Sequence, residues 1–380
     1  LVWQGGNEAW RSGEGIAGKG KGEGLFWEMK GGRFLATWLG DKPVFYNCTS
    51  RVVDRRRVLG KVEKMKFLEL MRMTEQFTGC VVGSFSLMTN HFHMMLEVPR
   101  MPEGGISDAE LLKRLGVLYP QMVVDGVARE LEEARGPESV DPQRSAAAVH
   151  ERFTYRMHNL GEFMKCLLQR FTQWFNRTRK RPRTGTLWGR RFHSTLVEDG
   201  TGSKAVAAYG DLNPVRAAIV KEPADYPWSS YGAAMNGDKE AQAGLVRVMR
   251  GKEAAAADPD LWGKEVAAEY RRILMEGVVE VFVDTPSGER KRVRKGMTKE
   301  EAEREKKKSG TLSLGRMLLC RVRYFMDGLV IGCREFVDEA HANKPECFGA
   351  KRKTGARMLR GVAAPAAGVI WSMRDLKKGI

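Results

Sequence analysis

Nowhere in the 380 residues does a C-x-x-C pair occur; the six cysteines (Cys48, Cys80, Cys166, Cys320, Cys333, Cys347) are scattered. That excludes zinc-knuckle and thioredoxin-type chemistry. No apolar run approaches the ~20 residues a membrane helix needs, so neither a spanning segment nor a membrane partner is predicted. No secretory signal is read at the start, where the chain is Gly-rich and charged. Isolated thiols without such a signal predict a reducing, cytoplasmic setting. Acidic side chains are in deficit, 47 against 64 Lys and Arg, for a net charge of +17. The excess points to a polyanionic partner without saying which. Histidine is scarce as well, with six in all.

What is present suffices for a folded core. Apolar residues make up 42% of the chain and aromatics 9%, which excludes a wholly disordered protein. The length predicts roughly two domains. Residues 1–40 are glycine-rich without periodicity and are read as a flexible tail. Patterning begins with the strand-like run Val44-Phe45-Tyr46-Asn47-Cys48-Thr49-Ser50. Residues 61–78 place Phe67, Leu70, Met71, Thr74 and Phe77 at helical spacing. Two strands follow over 80–87 and 91–98, across the turn Met88-Thr89-Asn90. Residues 101–157 read as a helical insertion, opened by the capping box Ser107-Asp108-Ala109-Glu110. Leu160, Phe163, Met164, Leu167, Leu168, Phe171, Trp174 and Phe175 then mark one face of a helix. A strand near 193–197 and a short helix over 204–212 come next. Beyond Tyr231 the core signals fade: 236–310 is read as a helical linker with a solvated Lys/Glu run over 299–308. Residues 311–380 form a basic helical unit with helices over 314–325 and 334–340. It is either a helix-turn-helix or a helical hairpin packed on the core.

Two of the six histidines form His91-Phe92-His93 within a strand. Residues two apart on a strand share a face, so His91, His93, Met95 and Glu97 point one way and Phe92, Met94, Leu96 and Val98 the other. Two imidazoles side by side suit one divalent cation, although an accidental pair on a half-exposed strand has the same pattern. Tyr209 and Asn213 lie four apart on one helix face. They read either as a nucleophile and a neutral metal ligand, or as a half-buried tyrosine and the cap of a helix that begins at Pro214. Arg177, Arg179, Lys180, Arg181, Arg183, Arg190 and Arg191 fall within fifteen residues that hold no acidic side chain. Trp174, Trp188 and Phe192 are interleaved. Arginine neutralises phosphate and aromatic rings stack on unpaired bases. Trp174, on the apolar face of its helix, is read as core, and Trp188 as core or stacking platform. Arg216 is a phosphate contact or a surface residue.

The stretches Met88–Glu97, Thr186-Leu187-Trp188-Gly189-Arg190-Arg191-Phe192, Tyr209–Ala217 and Pro227-Trp228-Ser229-Ser230-Tyr231 together resemble the REP-associated tyrosine transposases, single-tyrosine members of the HUH endonuclease superfamily. Residues 311–380 resemble the extension of longer members. The resemblance implies a ferredoxin-like α+β domain over 41–235, an antiparallel sheet with helices on one face. It implies Mg²⁺ or Mn²⁺ held by His91, His93 and Asn213, with Tyr209 as nucleophile. It implies single-stranded, hairpin-forming DNA as partner, cleaved and rejoined through a 5′-phosphotyrosine, and a nucleoid-associated location. Arg177, Arg179, Lys180, Arg181, Arg183, Trp188, Arg190, Arg191 and Arg216 are the expected DNA contacts. Monomer and homodimer both stay open. Two departures stand out: Thr89 where proline is usual, and Gly210 where a bulky apolar residue is usual. The competing reading is a domesticated hairpin-binding protein that no longer cuts. The charge is uneven in a way that suits either. Residues 160–195 hold nine Lys and Arg against one Glu, and residues 311–380 thirteen against six acids.

Overall fold

The structure is a computed structural model describing residues 35–39, 44–258, 260–275, 280–284, 290–295, 328–345, 357–358 and 371–373. Of the sequence readings, most of the 1–40 tail, the run over 299–308, the helix over 314–325 and the basic tail 351–353 lie outside the described residues. The molecule is α+β. Strand β1 (Val44–Arg51) leads to helix α1 (Lys61–Thr78), which stops at Gly79 in the left-handed conformation (φ 71°). Strands β2 (Val81–Leu87) and β3 (His91–Glu97) form the expected hairpin, closed by Met88 N–H donating to the His91 carbonyl at 2.8 Å.

The insertion is three helices, α2 (Asp108–Leu118), α3 (Gln121–Arg135) and α4 (Pro142–Thr154). Ser107 caps the first by accepting from the Glu110 amide. Leu111, Leu115, Val127, Leu131, Ala146 and Val149 form an apolar cluster of their own, joined to the body by Phe77. Helix α5 (Leu160–Arg177) follows the anticipated stripe, capped by Asn159. Strand β4 (His193–Glu198), helix α6 (Thr201–Asp211) and the single turn α7 (Asn213–Arg216) carry the chain to α8 (Ser230–Met235).

The sheet runs β2-β3-β1-β4 and continues through β7 (Val330–Gly332), β9 (Trp371–Met373) and β8 (Arg357–Met358). The first four strands are antiparallel, but β7 pairs parallel with β4, so the sheet is mixed. Helices cover both faces, not one as expected. Phe92 meets Phe67 of α1 and lies in one aromatic cluster with Phe171 of α5, while His93 on the opposite face meets Tyr209 of α6.

The core does not fade after Tyr231. Helix α9 (Lys239–Arg250) buries Leu245, Val246, Val248 and Met249 in the central cluster. A Cβ on Gly244 would stand 2.6 Å from the Val82 carbonyl oxygen, so glycine lets α9 sit directly against β2. After the short α10 (Lys252–Ala257), helix α11 (Ala267–Met275) adds Tyr270 and Leu274. A separate two-stranded ribbon joins β5 (Glu280–Asp284) and β6 (Arg290–Lys295). The helix expected over 334–340 is present as α12 (Arg334–Asn343). The strand β7 of the main sheet leads into it. Val337 and Ala340 are fully buried, so this helix packs on the body.

Candidate active site

Strand pairing sets the site. Across the sheet, Ser86, His93, Thr49 and His193 stand in one row, and Arg51 pairs with His91 in the next. The His91 and His93 rings are 5.4 Å apart, and the His93 and Tyr209 rings 6.1 Å. Strand alternation puts both imidazoles on the face that α6 covers, as the spacing predicts.

His93 is 5% exposed, and neither of its ring nitrogens has a hydrogen-bond partner. Burial, then the nearby His91, Arg216 and Arg51, holds its pKa well below the usual imidazole value. The ring is therefore neutral and offers a lone pair, as a metal ligand must. His91 is half-buried, and its Nδ1 lies 2.7 Å from Asn90 Oδ1. An amide oxygen only accepts, so this contact makes Nδ1 the protonated nitrogen and Nε2 the lone-pair nitrogen.

Tyr209 is 2% exposed. The Arg216 guanidinium lies 3.9 Å from its ring centroid and donates to the Tyr209 carbonyl and to Asn213 Oδ1. Two sequence readings change here. Arg216 is half-buried, turned into the site and holds the tyrosine helix, so it is not simply a surface residue. Asn213 does not cap its helix: its side-chain oxygen is engaged by Arg216 and its buried Nδ2 has no partner. Two imidazoles fit a divalent cation, but the oxygen expected to complete the set is already hydrogen-bonded. Among the described residues no group of three or more His, Cys, Asp or Glu could hold a metal.

The predicted basic tract divides. Arg177, Lys180, Arg181, Arg190 and Arg191 are exposed and make no ion pair among the described residues. Arg183 is half-buried, 5.9 Å from the Phe175 ring. Arg179 is committed within the protein: it pairs with Glu63 at 2.5 Å and lies 4.0 Å over the Phe175 ring. Trp188 is a core residue, 7% exposed, with Phe67, Phe92 and Phe171 centroids within 6.3 Å. That burial fits the core reading of this residue.

Two features escaped the sequence. A cavity of about 840 Å³ opens beside the histidine pair, lined in part by Arg51, Arg55, Arg190 and Arg191. Asp211, at the end of α6, is fully buried and accepts from the Tyr231 amide (3.0 Å) and the Tyr270 hydroxyl (2.7 Å). Burial pushes its pKa up to about 6. It ties the tyrosine helix to α8 and α11.

No protein-family model matches the chain, and no curated protein matches it. Among solved structures, one that matches is the REP-associated tyrosine transposase bound to a REP hairpin. It is 12% identical, covers 52% of this chain and 81% of that one, and has a TM-score of 0.32. A likeness that distant carries no argument about fold or function. Among the described residues no helix is long and apolar enough to cross a membrane.

Proposed function

We propose that the chain is a metal-dependent DNA strand transferase of the REP-associated tyrosine transposase type, acting on single-stranded, hairpin-forming DNA through a 5′-phosphotyrosine. The strand order β2-β3-β1-β4, with α1 and α5 on one face, supports reading the core as ferredoxin-like. The observation that carries the functional proposal is the juxtaposition of a buried, neutral imidazole with one tyrosine ring beside an arginine-lined cavity.

Each residue then has a task. An unassisted phenol is mostly protonated at neutral pH, and a phosphodiester repels nucleophiles with its own charge. A divalent cation, Mg²⁺ or Mn²⁺, held by His91 and His93 would supply the Lewis acidity that polarises the phosphoryl oxygen. Arg216 and Asp211 keep the tyrosine helix in one position, so the attacking oxygen is aligned before substrate arrives. Tyr209 Oη attacks phosphorus, forms the O–P bond and expels the 3′-oxygen, which leaves as a hydroxyl. The reverse attack by a 3′-hydroxyl rejoins the strand, so neither ATP nor water is consumed. Cleavage and rejoining through one phosphotyrosine is transposition chemistry.

The full chain, incubated with labelled hairpin DNA and Mg²⁺ or Mn²⁺, is expected to give an SDS-stable adduct. EDTA and Tyr209→Phe should each abolish it. Tight, metal-independent binding without adduct would replace this reading with the silent hairpin binder. One observation favours that second reading: Tyr209 is nearly inaccessible beneath Arg216.

A further inference from the structure

The cavity beside the histidine pair has a basic wall made by two chain segments far apart in sequence. Arg51 closes β1 and Arg55 sits in the turn after it; Arg190 and Arg191 come from the segment leading into β4. The segments are stitched together: Val53 N–H donates to the Leu187 carbonyl at 3.0 Å, and Gly189 N–H to the Arg51 carbonyl at 2.9 Å. The four guanidinium groups therefore hang from one hydrogen-bonded frame. All four are exposed and none makes an ion pair among the described residues. Among the described residues, Asp54 is the one carboxylate that lines the same cavity.

The turn that presents Arg55 is strained. Asp54 and Arg55 are consecutive non-glycine residues with φ of 56° and 54°, a left-handed conformation that L side chains avoid. Asn90 Nδ2 donates to the Arg55 carbonyl at 3.0 Å, while the same side chain holds His91 Nδ1 through its oxygen. The strained turn and the histidine are thus fixed by one amide. Strain that the surroundings maintain marks sites where a side chain must be aimed. His93, buried with both nitrogens unpartnered, lines the same cavity. A volume of about 840 Å³ admits a nucleotide with its flanking phosphates.

We propose that this cavity is a phosphodiester-binding cleft in which Arg51 and Arg55, together with Arg190 and Arg191, hold the DNA strand beside the scissile phosphate. It rests on the strand-transferase reading and adds where the substrate lies and which unassigned residues hold it. Arginine is suited to the task because its planar fork matches phosphate oxygens in pairs.

The test uses the full chain carrying Tyr209→Phe, in EDTA, with a fluorescein-labelled hairpin oligonucleotide and anisotropy read between 50 and 300 mM salt. Arg51→Gln with Arg55→Gln is expected to weaken binding about tenfold or more. The salt slope should fall by roughly 1.4 to 1.8, the loss of about two phosphate contacts. Asp54→Asn removes the carboxylate from the cleft and is expected to tighten binding about threefold, a gain that misfolding cannot produce. Unchanged affinity and slope in the double glutamine variant, with the loss appearing instead in Arg181→Gln and Arg183→Gln, would overturn the cleft. Adduct formation by the unsubstituted chain is read separately. Binding that depends on Arg51 and Arg55 without an adduct keeps the cleft and rejects cleavage.

Discussion

Phe92 and His93 are neighbours on one strand, yet they face opposite environments. On the Phe92 side, Phe67, Phe171 and Trp188 pack ring against ring, and Phe92 is completely buried. On the His93 side, polar groups are set among apolar ones such as Phe45, Met95 and Val248. His93 and Ser86 bury unpartnered atoms, Glu97 is ion-paired with Arg247, and Asp211 is buried among tyrosines. The first arrangement gains stability from apolar burial. The second gives some of it up, because buried polar groups without partners are costly. A sheet with apolar packing on both faces can keep one imidazole desolvated and fixed on one of them, ready for a ligand.

The largest effect tests the apolar face. Phe92→Ala should lose about 3–5 kcal/mol, read as a drop in urea midpoint, with denaturation curves collected in EDTA. A loss under ~1 kcal/mol would mean that the aromatic cluster collapses around the gap and is not the stabilising face.

On the polar face, Asp211 makes a pH-dependent contribution with a definite sign. Its pKa is about 6 when folded, against 3.8 for an ordinary aspartate. Between those values the folded protein holds the proton and the unfolded chain has lost it. Stability from this group is therefore present below pH ~4 and is lost as pH rises toward 6, by about 2–3 kcal/mol. Asp211→Asn removes this contribution and leaves those of the other titrating groups. Measured from pH 4 to 7, the stability of the unsubstituted protein relative to the variant should fall by that amount. A constant difference would mean that the carboxyl titrates alike in both states.

His93→Leu sharpens the contrast from the other side. It replaces a buried imidazole lacking partners with an apolar group of similar size, and in EDTA it should raise stability by about 1–2 kcal/mol. The same variant should form no DNA adduct. Destabilisation on the scale of Phe92→Ala would show that the histidine is an ordinary core residue and that the two faces do not differ.

Much of the apolar side was legible in the sequence, because periodicity reports burial directly. The stripe Phe67, Leu70, Met71, Thr74, Phe77 appears as one buried face of α1, and alternation placed both histidines together. What stayed hidden depends on partners. Arg179 and Arg190 look alike in a charge run, but Glu63 lies opposite only the first. Arg51 and Arg55 stand about forty residues before the histidines, and only strand pairing brings them beside that pair. Trp188 reads equally as core or as a stacking ring until Phe67 and Phe171 are seen against it. Helix α9 falls inside the stretch read as a helical linker; what stayed hidden is that its buried face, including Ala241 and Gly244, packs into the core against β2. Where a residue's role is set by what comes to lie across from it, the linear pattern is silent.

Gly210 gives the smallest effect and separates stability from positioning within the polar face. It lies inside α6, next to Tyr209, with backbone φ in the ordinary range. A Cβ there would meet only the Ser86 Cβ, at 3.9 Å, an ordinary contact. Gly210→Ala should therefore stabilise the protein by up to about 1 kcal/mol, since alanine forfeits less backbone entropy in a helix. If Tyr209 is already held by Arg216 and Asp211, adduct yield in Mn²⁺ should stay the same while the midpoint rises. If the glycine loosens the tyrosine helix, adduct formation should rise with stability. A fall in both would mean that close packing against β2 requires the glycine. The polar face would then be under the same steric demand as the aromatic one, and the contrast between the two would rest on polarity alone.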